Sequence, residues 1–505
     1  MKRDRGVPKR SCGGRLLAGV ACLTLVTACA TVPYEDYEAD DAIAGYAYRG
    51  ASGGDVAVET LGWREFFRDE TLQRLIEAAL ENNRDLRVAT ARILETRGRY
   101  RIERSARLPN VEASAGGNRS RIPLGSYDVA EELGEGLLGG EEALTFTRYD
   151  VNVAIPSYEL DFWGRVRNLS AAARAEYLAT VAAQRAFRLS VIGDTARAYF
   201  AFAEANEAIA LAEATLESRK TGYEIAQRRY RAGAVSELTL RQNEALVLQA
   251  EGSLSAQRLE RARAVNSLAA IVGAPISPDE LVSGSLDGAE VVRALDAGIP
   301  SELLLARPDL AAAELRLEGA QASVRAARAA FFPSISLTGS AGYASSELDD
   351  LFEDSTFAWN FGPSISLPIF DGGRRRANLD VARARTIAEV AEYEGAVQSA
   401  FRDVADALAG RRLLAEQIAV AERTVAALAR IADLARLRYD EGQSRYLEVL
   451  DAERNLFAAQ RDLIGLRRAE LENLVGLYLA LGGGDAGASE PQSIEDLLQR
   501  LAMES

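Results

Sequence analysis

One arrangement occurs twice in this chain, and it limits the possible folds more than any other feature. From Arg229 the sequence reads RYRAGAVSELTLRQNE, and 209 positions later, from Arg438, it reads RYDEGQSRYLEVLDAE. Tyr230, Gly233 and Glu244 recur as Tyr439, Gly442 and Glu453. In both places a glycine interrupts a very long helical pattern, as a residue able to adopt the left-handed turn at a helix end does. Much of the surrounding sequence recurs at a similar offset. The expected chain is therefore two copies of one unit, each with a long helix, a tight turn and a returning helix.

The units can be followed from their boundaries. A helical region is expected from about Thr71 to Ala106, with Leu72, Leu75, Ile76 and Ala79 at helical spacing, ending at Leu108-Pro109. The period then changes to two. Val111, Ala113 and Ala115 alternate with Glu112, Ser114 and Gly116, and Val151, Val153 and Ile155 alternate with Asn152, Ala154 and Pro156. These are expected to be two strands of about ten residues, joined by an exposed glycine-rich loop through Gly134, Gly136, Gly139 and Gly140. No Gly-Lys-Ser/Thr follows those glycines, so the loop is not a phosphate cradle.

After Trp163-Gly164-Arg165 a helix is expected to about Arg231, roughly 100 Å long. Leu189, Ile192, Ala196, Tyr199 and Ala203 give it a coiled-coil period. A second helix runs from about Glu237 to Val272. The plan then repeats. Arg307-Pro308-Asp309-Leu310 matches Asn83-Arg84-Asp85-Leu86, and Phe332-Pro333-Ser334 matches Leu108-Pro109-Asn110, both 224 positions on; Gly373-Arg374 matches Gly164-Arg165 at 209. The first strand-to-strand loop is thus about 15 residues longer than the second. In the last helix Leu456, Ala459, Leu463 and Leu466 keep the apolar stripe, Glu470 breaks it, and Leu471, Leu474, Tyr478 and Leu481 resume it. The expected boundaries are 63–273 for the first unit, 274–300 for a polar linker, 301–482 for the second unit, and 483–505 for a tail with a short amphipathic segment at about Ile494–Leu501.

Four strands per chain, apolar on one face and about ten residues long, suit a tilted span of a bilayer. Four cannot close a barrel, and open edges are not tolerated in lipid. Three copies would supply twelve strands. A soluble four-stranded sheet on a helical bundle is the alternative, but helices of roughly 100 Å suit a projecting tube better than a globular domain. A fibrous coiled coil would not need the strands.

The N-terminus adds an address. Lys2, Arg3, Arg5, Lys9, Arg10 and Arg15 precede a short apolar run, Leu16–Val26, as in a secretory signal. Leu25-Val26-Thr27-Ala28-Cys29 resembles a bacterial lipobox, which makes 1–28 a lipoprotein signal, Cys29 the lipidated residue and 29–62 an anchored tether. An ordinary signal cut elsewhere, or a short anchor helix, is the alternative. Ala30 rather than Asp follows the cysteine, so nothing there suggests inner-membrane retention.

Composition removes other functions. Among 505 residues there is no histidine, the three cysteines all fall in the first 29 positions, and the net charge is −15. The usual general base and commonest metal ligand are missing. No ordered Ser/Lys motif appears, so no enzyme, cofactor or metal site is expected. With no basic block beyond Arg374-Arg375-Arg376, neither is nucleic acid.

Several motifs in order then carry a family resemblance. They are Gly62-Trp63, Arg107-Leu108-Pro109, Leu160-Asp161-Phe162-Trp163-Gly164-Arg165, Ala306-Arg307-Pro308-Asp309-Leu310, Phe331-Phe332-Pro333, Ile369-Phe370-Asp371-Gly372-Gly373-Arg374, and Tyr439 through Arg454. The chain resembles the TolC-like outer-membrane factors, in the lipidated branch serving resistance–nodulation–division (RND) efflux pumps (the NodT/OprM type). The resemblance implies a mixed α/β membrane protein, a homotrimer with a twelve-stranded outer-membrane β-barrel continuous with an α-helical periplasmic barrel. It also implies docking on a periplasmic adaptor and an inner-membrane RND-type transporter, with outer-membrane lipid around the barrel.

By the same resemblance the turn region forms a closed iris. Glu448 and Asp451 match its acidic ring, Leu447 an apolar constriction, Arg454 a nearby basic partner, and Tyr439 a tyrosine that helps hold it shut. The turns at Gly233 and Gly442 would meet the adaptor. Where some members carry a basic latch two positions after the glycine, this chain has Ser444, with Arg445 beside it. Read from the residues alone, a solvated helical face remains the alternative for Glu448 and Asp451. The expected function is passive conduction of small molecules such as drugs from periplasm to exterior. An exit duct for secreted protein (type I secretion) and a non-conducting envelope lipoprotein are the alternatives.

Overall fold

The computed structural model describes residues 56–57, 61–123, 143–281, 286, 290–293, 295–296 and 307–483. All belong to one unit, Tyr46–Ser505, of the two into which the chain divides. Cys29, the 1–28 signal, most of the tether, much of the 274–300 linker and the Ile494–Leu501 segment lie outside the described residues.

In chain order the main elements are β1 (Val56–Ala57), α1 (Trp63–Phe66), α2 (Glu70–Asn82), α3 (Arg84–Ser105), β2 (Glu112–Pro123), β3 (Ala143–Glu159), α4 (Arg165–Arg231) and α5 (Glu237–Val272). Then come β4 (Leu295–Asp296), α6 (Pro308–Ala329), β5 (Ser334–Ser345), β6 (Phe357–Ser366), α7 (Arg374–Asp440) and α8 (Tyr446–Ala480). The α4 and α7 helices have 67 residues each, α5 and α8 have 36 and 35, and α3 and α6 have 22 each. At 1.5 Å per residue α4 and α7 are roughly 100 Å long. Helix α4 packs along α5 and α6, and α7 along α8.

The single helix expected from Thr71 to Ala106 is two. Asn83 sits at φ −57°, ψ 125°, its side chain accepts from the Leu86 N–H at 2.8 Å, and its Nδ2 donates to the Ile271 carbonyl at 2.7 Å. The capping amide and the distant carbonyl together stabilise the break. Asp69 starts α2 the same way, accepting from Thr71 and Leu72 N–H. Leu72, Leu75, Ile76 and Ala79 are then buried beside α4 and α5.

The strands number 12, 17, 12 and 10 residues, against the expected ten or so. They form one antiparallel sheet in the order β2-β3-β5-β6. Strand β3 outlasts its partners because it pairs with β2 over residues 143–154 and with β5 over residues 149–159; its register with β5 also shifts between Ile155 and Tyr158, at Pro156, which has no N–H to donate. At Gly342 any Cβ would collide with the Val151 carbonyl, so the closeness of β3 and β5 depends on that glycine.

Among the described residues, strands β2 and β6 are the sheet's unpaired edges. Phe357, Trp359, Phe361 and Ile365 alternate along β6 and are all more than half exposed, as are Phe146 and Val153 on β3. Ile369 and Phe370 follow, 95% and 90% exposed. Among the described residues no helix is long and apolar enough to cross a membrane.

The joints from sheet to long helix are tightly fastened. Asp161 accepts from the N–H groups of Val166 and Arg167, and Asp371 from those of Gly373 and Arg375. Trp163 donates to the Pro333 carbonyl at 2.8 Å and stacks on Phe332 at 4.8 Å. Midway, Phe66 stacks on Tyr478 at 4.2 Å, with Phe67 edge-on. Glu470, which interrupts the stripe of α8, pairs with Arg293 of the linker at 2.8 Å, so the break in pattern marks a polar tie.

Candidate functional site

The turn at the inner end of α7 is built by its backbone. Gly442 has φ 72°, its N–H donates to the Tyr439 carbonyl at 3.0 Å, and the Gln443 N–H reaches the Arg438 carbonyl at 2.8 Å. These bonds satisfy carbonyls that the helix end would otherwise leave unpaired. Beyond the turn, α8 folds back on α7. Val449 and Ala452 are buried against Ala432 and Ala435, with Tyr439, Tyr446 and Leu456 packed around them.

Burying that face turns the next one outward. Leu447 is 52% exposed, and Glu448, Asp451 and Arg454 lie beside it on the open side of α8. The structure therefore brings four of the five sequence-predicted gate residues together on one strip. Glu448 pairs with Arg438 at 3.4 Å, across the turn, and Asp451 pairs with Arg454 at 3.3 Å. With side chains half or more exposed, each such pair is worth roughly 0–1 kcal/mol. The strip is held by contacts that rearrangement can break at little cost.

Tyr439 lies elsewhere. Its ring packs at 4.9 Å from Tyr446, with the Arg229 guanidinium 5.0 Å over it, and Arg229 also reaches Asp440 at 3.7 Å. Tyr439 thus joins the second turn to the end of α4, next to the first turn, rather than sharing the acidic face. Ser444, at the expected latch position, buries its Oγ without a partner among the described residues. Arg438, on the other side of the glycine, is the cation facing Glu448.

Sequence reasoning missed Arg229, Arg436, Arg438 and Tyr446. Arg436 ties α7 to Glu453 at 3.0 Å and to Ser218 of α4 at 3.2 Å. Tyr446 is half-buried at the start of α8. Burial, and then the nearby Glu453 carboxylate, push its hydroxyl up to about 12. The repeated Tyr-x-x-Gly spacing pointed to Tyr439, but Tyr446 has no counterpart in the first copy, where Glu237 stands.

The first turn has the same backbone. Gly233 has φ 73° and its N–H donates to Tyr230 at 2.9 Å, while the Ala234 N–H reaches the Arg229 carbonyl at 2.8 Å. Its charges close on one another, Arg241 pairing with Glu237 at 3.4 Å and Glu244 at 2.8 Å. Among the described residues no group of three or more Cys, Asp or Glu is placed to hold a metal ion.

Comparison with known proteins fits this architecture. The family model for outer membrane efflux proteins matches residues 75–274 and 299–483. The solvent efflux pump outer membrane protein SrpC of Pseudomonas putida is 42% identical over 421 residues, covering 83% of this chain and 87% of SrpC. Outer membrane protein OprJ of Pseudomonas aeruginosa is 37% identical over 479 residues, covering 93% and 97%. The open-state crystal structure of the Neisseria gonorrhoeae MtrE outer membrane channel superposes with a TM-score of 0.75 at 40% identity, covering 86% of this chain and 95% of that one. With a β-sheet continuous with long paired helices and a family match along most of its length, the chain belongs to the outer membrane efflux proteins, which are transport channels and not enzymes.

Proposed function

We propose that three copies of this chain assemble into one continuous duct that passively conducts small molecules from the periplasm through the outer membrane. Each copy consists of two repeats, 63–273 and 301–482, and contributes four strands to a twelve-stranded barrel and its long helices to the periplasmic tunnel. The observation that carries this reading is the sheet. Both edge strands, β2 and β6, lack a further partner strand among the described residues, and the β6 face bearing Trp359, Phe361 and Ile365 is apolar and open. A membrane accepts such a face, but it does not accept the free edges. Pairing β6 of one copy with β2 of the next removes them.

Cys29, acylated, would hold the N-terminus at the outer membrane. The turns at Gly233 and Gly442 would meet a periplasmic adaptor that in turn grips an RND-type transporter. The strip Leu447, Glu448, Asp451 and Arg454, repeated around the axis, would form the iris, with Tyr439 holding the second turn to the first hairpin. The solvent-pump name of SrpC supports small-molecule cargo over protein export.

Planar-bilayer recording of the full-length protein tests the duct. Discrete conductance steps are expected for wild type, and larger ones once Glu448 and Asp451 are neutralised. Silence from both proteins would leave a non-conducting envelope lipoprotein as the better description.

A further inference from the structure

Above the second turn, α4, α5 and α8 enclose a cleft of about 180 Å³ that shares only Arg454 with the proposed iris strip. Its walls carry three guanidinium groups: Arg219 of α4, and Arg454 and Arg461 of α8. Thr215, Gln249 and Ser253 add a hydroxyl, an amide and a second hydroxyl, and none of the lining residues is a carboxylate. In a chain with net charge −15, that local sign is unusual.

Arg219 is the informative member. It is 7% exposed, its Nη1 donates to the Leu246 carbonyl at 3.1 Å, and its guanidinium lies 5.9 Å over the Phe457 ring. Among the described residues no carboxylate forms an ion pair with it. A guanidinium has five N–H donors and cannot shed its charge. One carbonyl and a ring face leave a buried cation under-compensated, which is costly unless something anionic completes it. The closest carboxylate field is that of Glu453, and that group already accepts from Arg436 at 3.0 Å. Among the described residues Arg454 and Arg461 form ion pairs only with neighbours on their own helix, Asp451 and Asp462, each at 3.3 Å. Such exposed pairs exchange readily for a stronger partner.

We propose that this cleft binds a small multivalent oxyanion of the phosphate or sulfate type, held by Arg219, Arg454 and Arg461. The size suits it, since a water claims roughly 30 Å³ in the liquid and the cleft holds an oxyanion with part of its hydration. Planar guanidinium forks match tetrahedral oxyanions in geometry as well as charge. The position favours a free anion over a lipid headgroup. From residue 165 to residue 219 is 54 positions along α4, about 80 Å from the sheet. Bound there, the anion ties α8 to both helices of the first hairpin. What this does to the iris rests on the duct reading, but the binding itself does not.

The test is thermal unfolding of the full-length protein in detergent, titrated with sodium phosphate against sodium chloride at matched ionic strength. Wild type is expected to gain a few degrees, saturably, with phosphate. The Arg461→Gln variant, altered at an exposed rim residue, should fold normally and need roughly tenfold more phosphate for the same gain. Arg219→Gln should lose the response altogether; if it does not fold, Arg461→Gln still decides the matter. Equal gains in phosphate and chloride, or an unchanged titration in Arg461→Gln, would overturn the proposal. So would stabilisation by a poly-glutamate peptide with none by phosphate, which would assign the cleft to a protein carboxylate.

Discussion

The turns at Gly233 and Gly442 share a backbone and differ in their chemistry. Their glycines have φ 73° and 72°, and the closing bonds from Ala234 to Arg229 and from Gln443 to Arg438 are both 2.8 Å. The returning helices begin differently. Ser236 caps α5 by accepting from the Thr239 N–H at 3.3 Å, while Arg445 stands at the equivalent place on α8 with no side-chain cap. In the first turn Arg241 gathers Glu237 and Glu244 into one cluster, a single cation shared between two carboxylates. In the second, Glu448 and Asp451 each hold a single weakly bound arginine and stay on the open face. A helix end needs only glycine and its two carbonyl bonds. The side chains that follow are free to specialise: the two acids of the first turn share one arginine, whereas each acid of the second has its own.

The largest expected difference between the turns is in conductance. In planar bilayers Glu448→Ala with Asp451→Ala should raise resting conductance several-fold and reduce cation selectivity, because an acidic ring near the axis concentrates cations. Glu237→Ala with Glu244→Ala should leave both unchanged. Similar currents from the two double variants would erase the functional distinction. Identical currents from wild type and the Glu448/Asp451 variant would remove the iris from this strip.

The next effect is alkaline, and it belongs to Tyr446, which occupies the place of Glu237. Burial holds the hydroxyl protonated up to about 12, above the ordinary tyrosine value near 10. The folded state is thus favoured while the ring is neutral. Its contribution is complete below about pH 10 and is lost as pH rises towards 12. Tyr446→Phe cannot ionise, so its melting temperature should fall less than that of wild type over this window. Tyr199, raised by burial and by its bond to Asp69, remains in both proteins as a shared background. Parallel alkaline curves for the two proteins would show that Tyr446 is in contact with water.

Most of the scaffold was legible because local chemistry dictates it. The two glycines end their helices, Pro109 and Pro333 stop others, and alternation marks the strands. Equal spacing of these signals makes α4 and α7 the same length, 67 residues. The break at Asn83 escaped notice because its decisive partner, the Ile271 carbonyl, is 188 residues away. The candidate site was legible along α8 for the same reason that its helix was: Leu447, Glu448, Asp451 and Arg454 share a face by spacing alone. Arg229 and Arg436 were not, since each acts across helices that only the packed hairpins bring together. Tyr439 was expected beside the acids of the gate, but its ring faces α4 and Tyr446. A side chain's direction at a helix end depends on what packs beside it, and a periodic pattern cannot supply that.

The smallest expected difference tests the shared backbone. A Cβ at Gly233 or Gly442 meets nothing within 4 Å, so substitution there costs conformation rather than space. Holding an L-residue in the left-handed region costs roughly 1–2 kcal/mol. Gly233→Ala and Gly442→Ala should therefore lower the melting temperature by the same small amount, with the difference between them close to zero. Gly442→Ala should in addition disturb conductance, because strain at that turn is relieved by shifting the start of α8, where Glu448 sits. A much larger stability loss at Gly442 alone would mean that the second turn is held by more than its glycine and closing bonds. Tyr439, Tyr446 and Arg229 would then carry fold stability as well as the iris.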